Sequence, residues 1–455
     1  MNYAECLDAL TALGHEMRGV KFDLNAIRSI LTSLGNPERR FATVIVAGTN
    51  GKGSTSAMLA SILERAGYRT GLYTSPHLMR ANERIRVDGE EISDEEFSRS
   101  FTDVWESVER LLEQKTLTAQ PSFFEYLTAT AFLHFARVPV DFAVLEVGMG
   151  GRLDATNVTE PRVAVITNIA LDHQEFLGET HAAIAREKAG VIQPGRPVVS
   201  ACENPEAVGV IRRRAAELGA PLMETSESAI VSNVCHLDGQ CTFDLALDGD
   251  FFPELVSPLP GRFQIKNAVA AVAAARVLAR EGWNISFTAI EEGLRQARWP
   301  GRLEVVFDRP LVVLDGAHNP AAAQEIAHFA KEQWASRRVR LVYASMRDKA
   351  IGEISDILFP LAAEIYLTRP EQARAATPEE ILAAVRSKPQ RMIVEPDPAR
   401  ALERAFQESA PEDVVLAAGS LFLVGALKKA LLARPLGLER SALCGPSSGF
   451  GAVLI

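Results

Sequence analysis

No stretch of this 455-residue chain stays apolar and uncharged for the roughly 20 residues that a membrane helix needs. Cysteine is scarce: Cys6, Cys202, Cys235, Cys241 and Cys444 are scattered, and no two have C-x-x-C spacing. Such a set suits free thiols in a reducing compartment rather than a disulfide framework or a cysteine metal cluster. Positive charge is also short, with 48 Lys and Arg against 58 Asp and Glu, a formal net charge of −10. Gripping nucleic acid or an anionic membrane requires a basic surface, so neither is expected as a partner, and an acidic ligand needs a locally basic site. The opening residues lack a basic segment followed by an apolar run, so no secretory signal is expected and the cytoplasm is the expected compartment.

What is present is ordinary globular composition, 47% apolar and 23% charged. The length exceeds what one hydrophobic core serves, so two domains are expected. From residue 41 onward, short apolar runs alternate with helical patterns. Runs at 41–47, 141–147, 162–168 and 196–200 read as strands buried on both faces, as in a parallel sheet covered by helices. Ser93 with Glu96 forms a capping box, and Phe97, Phe101, Val104, Val108 and Leu111 follow at helical spacing as a core stripe. Residues 226–252 read as a small antiparallel insert, and 261–281 as a long alanine-rich helix. A Pro-Gly break at 299–302 marks the expected boundary. The expected fold is α/β: a phosphate-loop nucleotide-binding domain with a mostly parallel sheet over 1–298, then a smaller Rossmann-like α/β domain over 299–434. Strands are expected there at 311–314, 341–344, 364–368, 392–394 and 414–417, and 435–455 reads as a loose tail.

The strongest site is the run Gly48, Thr49, Asn50, Gly51, Lys52, Gly53, Ser54 and Thr55, between a strand and a helix read as starting at Ser54. Glycines let backbone N–H groups turn toward phosphate oxygens, and the helix N-terminus adds partial positive charge. Lys52 can reach the β- and γ-phosphates, and the Ser54 or Thr55 hydroxyl can ligate Mg2+. Gly53, between Lys52 and Ser54, departs from the common G-x-x-x-x-G-K-[ST] spacing. The plainer reading is a glycine-rich turn that only caps a helix.

Further blocks follow in order. They are Leu72 to Leu78 with Ser75-Pro76-His77, the stretch 146–157 that begins at Glu146 and holds Asp154, Leu171-Asp172-His173, Arg186-Glu187-Lys188-Ala189-Gly190, Pro300-Gly301-Arg302, and Asp315-Gly316-Ala317-His318-Asn319-Pro320. With the Gly48 loop, this ordered set resembles the Mur ligase superfamily, and most closely its folylpolyglutamate synthase/dihydrofolate synthase branch.

Glu146 ends an apolar strand, at the sheet edge where α/β folds bind ligands. With His173 after the next strand and the Ser75 hydroxyl, it makes a reasonable metal shell. Mg2+ prefers oxygen, so a histidine ligand suits Mn2+ equally well. Taken alone, His173 reads as a capping or surface histidine, and Lys188 as a solvated lysine favoured at a helix C-terminus. The resemblance implies more: two metal ions, with Ser54 on one and Ser75, Glu146 and His173 on the other. It also implies a CO2-carbamylated Lys188 that helps hold the metal. It further assigns Arg302 to phosphate, Asp315 and His318 to the ribose and γ-phosphate region across a cleft, and Asn267 to the neighbourhood of the adenine.

Lys52, Lys188, Arg302 and His318 are therefore the expected catalytic set. Ser75, Pro76, His77, Arg84 and Asp154 are the expected substrate contacts. Arg80, Arg84 and Arg86 make one basic stretch in an acidic chain, which either meets an anionic substrate or is simply solvated. The implied reaction is ATP-dependent ligation of L-glutamate to dihydropteroate, to reduced folates, or to both, through an acyl-phosphate, by a monomer. Another Mur-type ligase with a different acid stays open, and more remotely a phosphate-loop ATPase switch. A dinucleotide-dependent oxidoreductase would want G-x-G-x-x-G after the first strand.

Overall fold

Val44, Ile45 and Val46 are wholly buried, as an uninterrupted β-branched run requires when helices cover both faces of its sheet. They lie in β1 (Ala42–Ala47), the strand around which the first of two units is organised. The computed structural model describes residues 1–14, 23–237, 239–386 and 391–434. The chain divides into Met1–Arg302 and Leu303–Ile455. The expected tail at 435–455, which includes Cys444, lies outside the described residues. Among the described residues no helix is long and apolar enough to cross a membrane.

The first unit opens with α1 (Tyr3–Ala12) and α2 (Asn25–Ser33), then β1, α3 (Lys52–Arg65), β2 (Thr70–Tyr73), β3 (Ile85–Val87) and β4 (Glu90–Glu91). Next come α4 (Asp94–Glu113), α5 (Phe123–Arg137), β5 (Phe142–Glu146), β6 (Val163–Ile166), α6 (Gln174–Leu177) and α7 (His181–Lys188). β7 (Val198–Ser200), α8 (Pro205–Glu217), β8 (Leu222–Glu224) and α9 (Thr225–Ser228) complete the layer. The sheet order is β4-β3-β2-β5-β1-β6-β7-β8. All its pairings are parallel except those of the β3–β4 hairpin edge. β1 lies between β5 and β6, so later connections leave it on both sides, the switch point where such sheets bind ligands. Register pairs Val46 with Glu146, Ala47 with Ile166 and Tyr73 with Leu145. The segments that follow these strands therefore emerge at one edge.

Helix α4 carries the capping box of Ser93 and Glu96, and its Phe97, Phe101, Val104, Val108 and Leu111 are all buried. The insert is a three-stranded antiparallel sheet, β9 (Ala229–Leu237), β10 (Gln240–Leu247) and β11 (Asp250–Ser257). It runs past residue 252 because Leu255 still packs into the core. Helices α10 (Arg262–Arg280) and α11 (Phe287–Gln296) follow. The wholly buried Ala270, Ala271, Ala273, Ala274 and Ala275 let α10 lie close to its neighbours. On α11, a Cβ at Gly293 would stand 2.4 Å from the Ile62 Cα, so α3 and α11 touch backbone to backbone there. The Pro-Gly break belongs to this unit: the Trp299 indole packs on Gly53, and the division falls after Arg302.

The second unit is β12 (Glu304–Asp308), β13 (Leu311–Leu314), α12 (Pro320–Gln333), β14 (Val339–Tyr343), α13 (Ile351–Leu358), β15 (Glu364–Leu367), α14 (Pro378–Ala384), β16 (Met392–Val394), α15 (Pro398–Gln407), β17 (Val414–Ala418) and α16 (Leu421–Ala433). Its sheet order is β12-β13-β17-β14-β15-β16, parallel except for the β12 edge. Strand β12 was not among the expected strands. It is a partly exposed edge with a register shift between Val305 and Phe307, which blurs the alternation that marks a strand.

Candidate active site

The loop after β1 is built around positions that admit only glycine. Gly48 has φ 148°, and a Cβ there would fall 1.9 Å from Thr167 Oγ1. Gly51 has φ 85° and would meet Asn267 Oδ1 at 2.1 Å. The unusual Gly53 has a steric reason too, since a Cβ would come within 2.7 Å of Trp299 Nε1. Helix α3 starts at Lys52, earlier than expected, because Gly51 takes the left-handed N-cap conformation that turns the chain into the helix.

A clasp from the segment after β6 fixes the loop. Asn168 accepts from Thr49 N through its carbonyl at 2.9 Å and from Asn50 N through Oδ1 at 2.7 Å. Thr167 Oγ1 donates to Asn50 O at 2.6 Å, and Thr49 Oγ1 bonds Ala170. Thr167, Asn168 and Ala170 were not anticipated as loop partners. The available signal was a polar Thr-Asn pair at the C-terminal end of an apolar strand, on the ligand edge. Asn267 Nδ2 donates to Gln264 at 2.9 Å, and its side chain abuts Gly51. Thr55 Oγ1 donates to Asn267 O at 3.4 Å, whereas Ser54 is buried in the first turn of α3.

Two lysines converge on this loop. Lys52 Nζ donates to Gly48 O and Thr49 O, each at 3.1 Å. Lys188 Nζ donates to the same Gly48 O at 2.7 Å. The solvated reading of Lys188 is therefore corrected: it ends α7 but is only 4% exposed. Burial and the neighbouring Lys52 cation depress its pKa to about 7. Burial likewise lowers Lys52, while the charges of Glu146, Asp172 and Asp154 act in the opposite direction and Arg302 acts with burial.

The stretch 146–157 is what holds Lys188 in place. Gly151 packs on the carbonyls of Glu187 and Lys188, where a Cβ would meet either oxygen at 2.9 Å. Arg152 N donates to Glu187 O at 2.8 Å, and its guanidinium pairs with the Glu187 carboxylate at 3.0 Å. Asn157 Nδ2 donates to Arg152 O and Gly190 O. Asp154, expected at the substrate, has both oxygens engaged inside this loop. Oδ2 accepts from Met149 N at 3.0 Å, and Oδ1 from Thr156 N and Oγ1 at 3.0 and 2.6 Å.

Ser75 and Glu146 are brought together, with Ser75 N donating to Glu146 Oε2 at 3.0 Å beside a cis Ser75–Pro76 bond. Burial raises the Glu146 carboxyl above its usual range, against the opposing pull of Lys52, Arg302 and Arg84. The three arginines of the basic stretch separate. Arg80 pairs with Asp94, and Arg86 with Glu91 at 3.0 Å. Arg84 instead turns inward and is 2% exposed. Its Nε donates to His77 Nδ1 at 2.8 Å, and its guanidinium carbon lies 5.4 Å from the centre of the Phe123 ring. Burial and the Arg84 charge push the His77 pKa down to about 3, so the ring is a neutral acceptor.

His173 sits in the left-handed N-cap position of α6, with Nε2 4.0 Å from Asp172 Oδ2. Among the described residues, no three His, Cys, Asp or Glu side chains cluster to hold a metal ion. In the second unit, Asp315 accepts from Leu303 N at 2.8 Å and Ala317 N at 2.7 Å, and so shapes the turn after β13. His318 Nδ1 donates to Gly316 O at 2.8 Å, which orients the ring. Asn319 caps α12.

A glycine loop, paired lysines and a buried carboxylate lie at the switch point of the first unit, and a second, mostly parallel α/β unit follows it, an arrangement suited to binding a nucleotide. Residues 46–275 match the Mur ligase middle domain, and 301–421 match the Mur ligase glutamate ligase domain. The chain is 37% identical over 415 residues to the dihydrofolate synthase/folylpolyglutamate synthase of Bacillus subtilis, covering 91% of this chain and 96% of that one. It is 35% identical over 393 residues to the Escherichia coli protein of the same name, covering 86% of each. Among solved structures, Escherichia coli FolC in complex with DHPP and ADP superposes with TM-score 0.85 at 32% identity, covering 95% of this chain and 98% of that one. Mycobacterium tuberculosis folylpolyglutamate synthase complexed with ADP gives TM-score 0.88 at 32% identity, with 94% and 98% covered. The chain belongs to the folylpolyglutamate synthase/dihydrofolate synthase family of Mur ligases and is an ATP-dependent ligase.

Proposed function

We propose that this ligase joins L-glutamate to dihydropteroate, to reduced folates or to both, in the manner named for its relatives. The observation that carries the reading is the convergence of Lys52 and Lys188 on the Gly48 carbonyl, in a unit that also holds the Ser75–Glu146 pair and the inward Arg84. Buried cations on a glycine loop suit an anion that arrives with its own charge.

The substrate carboxylate attacks the γ-phosphorus of ATP, and ADP leaves. The amine of glutamate then attacks the acyl carbon, phosphate leaves, and an amide remains. Lys52 offsets charge on the phosphoryl oxygens, with Arg302 in support. Because the Thr49 and Asn50 amides are committed to Asn168, the phosphates fall to the amides at the start of α3. Arg84, held in place by its bond to His77, receives an anionic part of the acid. Ser75 and Pro76 fix the turn beside Glu146. Asn267, Asp315 and His318 are proposed nucleotide contacts, and Asp154 acts by holding the 146–157 loop.

Mg2+, with Mn2+ as the alternative, fits the donors here: the buried Glu146 carboxylate, the Ser54 and Ser75 hydroxyls and His173. When bound, two such ions would supply positive charge against the phosphates. Lys188 fits carbamylation, because a buried amine with a pKa of about 7 is partly neutral and can attack CO2, releasing one proton as the carbamate forms. The same reading makes the chain a cytoplasmic monomer acting on small molecules, without nucleic acid or membrane; sedimentation velocity with and without ligands tests the monomer.

The test is ADP release with Mg2+, ATP and L-glutamate, comparing dihydropteroate, tetrahydrofolate and no acid. Stimulation by both acids establishes two activities, and stimulation by one assigns the protein to that reaction. If neither stimulates while ATP binds, the acid is a different one.

A further inference from the structure

Between His77 and the buried Ala81, Asn82 and Arg84, the turn at 78–80 has little packing of its own to hold it. Met79 and Arg80 are exposed, and Ser75 to Leu78 are only half-buried. Its shape comes from one carboxylate. Glu83 Oε2 accepts from Leu78 N at 2.7 Å, while Oε1 accepts from Met79 N at 2.8 Å and Arg80 N at 2.9 Å. Three successive amides thus turn around a single side chain, and charge-assisted bonds of this kind are the strong ones. The Glu83 amide itself donates to Arg80 O at 3.2 Å, closing the ring.

Arg84 is the next residue, and what Glu83 orders is transmitted to it directly. Arg84 O accepts from Thr74 N at 3.0 Å, one residue before the Ser75 amide that meets Glu146. Across the ring, Arg84 Nε reaches back to His77 Nδ1. An outer clasp comes from α1 and the start of α4: Tyr3 donates to Asn82, and Asn82 Nδ2 donates to Ile92 O at 2.7 Å and Asp94 Oδ1 at 3.0 Å.

We propose that Glu83 is a positioning residue for the acid substrate, holding the 78–80 turn so that Arg84 and His77 keep their mutual geometry beside the Ser75–Glu146 pair. The inference rests on the substrate reading given above and adds a residue to it. Arg84 is the group that meets the acid, and Glu83 acts only through it. A chain without Glu83 leaves three amides to water and Arg84 in several orientations, and misplacement of a binding group weakens productive binding steeply.

The experiment compares wild type, Glu83→Ala and Glu83→Gln in steady-state ADP release, with thermal midpoints and amide hydrogen exchange over 78–84. The glutamine keeps one acceptor oxygen but sets an NH2 group against a backbone donor, so it is expected to fold and to be intermediate. The expected result is a KM for the pterin acid raised about tenfold or more in Glu83→Ala and less in Glu83→Gln. The KM for ATP and the thermal midpoint stay near wild type, and the amides of Leu78, Met79 and Arg80 exchange faster. Equal rises in both KM values with a lowered midpoint would mean a merely structural role and overturn the inference. So would faster exchange with an unmoved KM for the acid. If wild type responds to neither pterin acid, the substrate reading falls and takes this inference with it; a responsive wild type with unaltered variants sinks the inference alone.

Discussion

Both units bury charge, and they do it in opposite ways. In the first unit, Lys52 and Lys188 share the Gly48 carbonyl, and burial lowers both amines. In the second, Arg340 is sandwiched between Glu364 at 2.9 Å and Asp413, with Ser409 at 3.2 Å. Glu364 also accepts from Arg338 at 2.9 Å, Arg391 at 2.8 Å and the Tyr366 hydroxyl at 3.2 Å. There burial would raise the Glu364 carboxyl and lower the Arg340 guanidinium, but their mutual bonds win and hold both charged. The Arg340 network is complete in itself and sits where β14 and β15 begin, at the end of the sheet opposite the Asp315 to His318 turn that follows β13. The lysine pair sets like charges side by side at the ligand edge, offset only in part by Glu146, Asp172 and Asp154, and burial lowers both amines. Strain like that of the lysine pair marks a site, and compensation like that around Arg340 marks a staple.

The sharpest way to break this comparison is to remove one member of each set. Lys52→Met is expected to lower kcat on the order of a thousandfold. Its thermal midpoint should hold or rise, because an amine held against its preference is replaced by an apolar chain of similar length. A midpoint that falls in proportion to activity would show that Lys52 is structural, and the contrast would collapse. Arg340→Met should do the reverse. It leaves Glu364 and Asp413 uncompensated and costs about 3–5 kcal/mol of stability by urea titration, with the activity of the folded fraction intact. An unchanged midpoint would show the network to be ornamental.

The sequence read the loop well because its signals are local. Strand, glycines, lysine and helix follow one another within 42–65, and the wrong start for α3 came only from not foreseeing Gly51 as a left-handed cap. The inward residues were harder. Lys188 has the neighbours of a solvated helix end, and only the fold of 146–157 over α7 buries it. Arg80, Arg84 and Arg86 look alike in a list, yet one points into the unit and two pair at its surface. Periodicity in an irregular segment does not say which side is inside. Strand β12 was missed for a related reason, its register shift hiding the two-residue period.

The smallest expected effect sharpens the comparison most, because it follows the charge on Lys188 directly. Its amine has a pKa of about 7 in the folded protein against 10.5 for a free lysine. Below pH 7 the proton is bound in both folded and unfolded states, and the full penalty of a buried cation is present. Between about 7 and 10.5 the unfolded chain holds a proton that the folded one lacks, so stability rises with pH in that window. Carbamylation has the same direction, since only the neutral amine attacks CO2. At fixed dissolved CO2, ADP release is expected to climb about five- to tenfold from one pH unit below 7 to one above, in step with the neutral fraction. A carbamate carbon signal from 13C-labelled CO2 should grow alongside it. Lys188→Arg, charged at every working pH and unable to react, should lack both the rise and the signal. A wild-type profile that stays flat with CO2 present, without a carbamate signal, would leave Lys188 as a buried group with no chemistry of its own, acting only as a neighbour of Lys52.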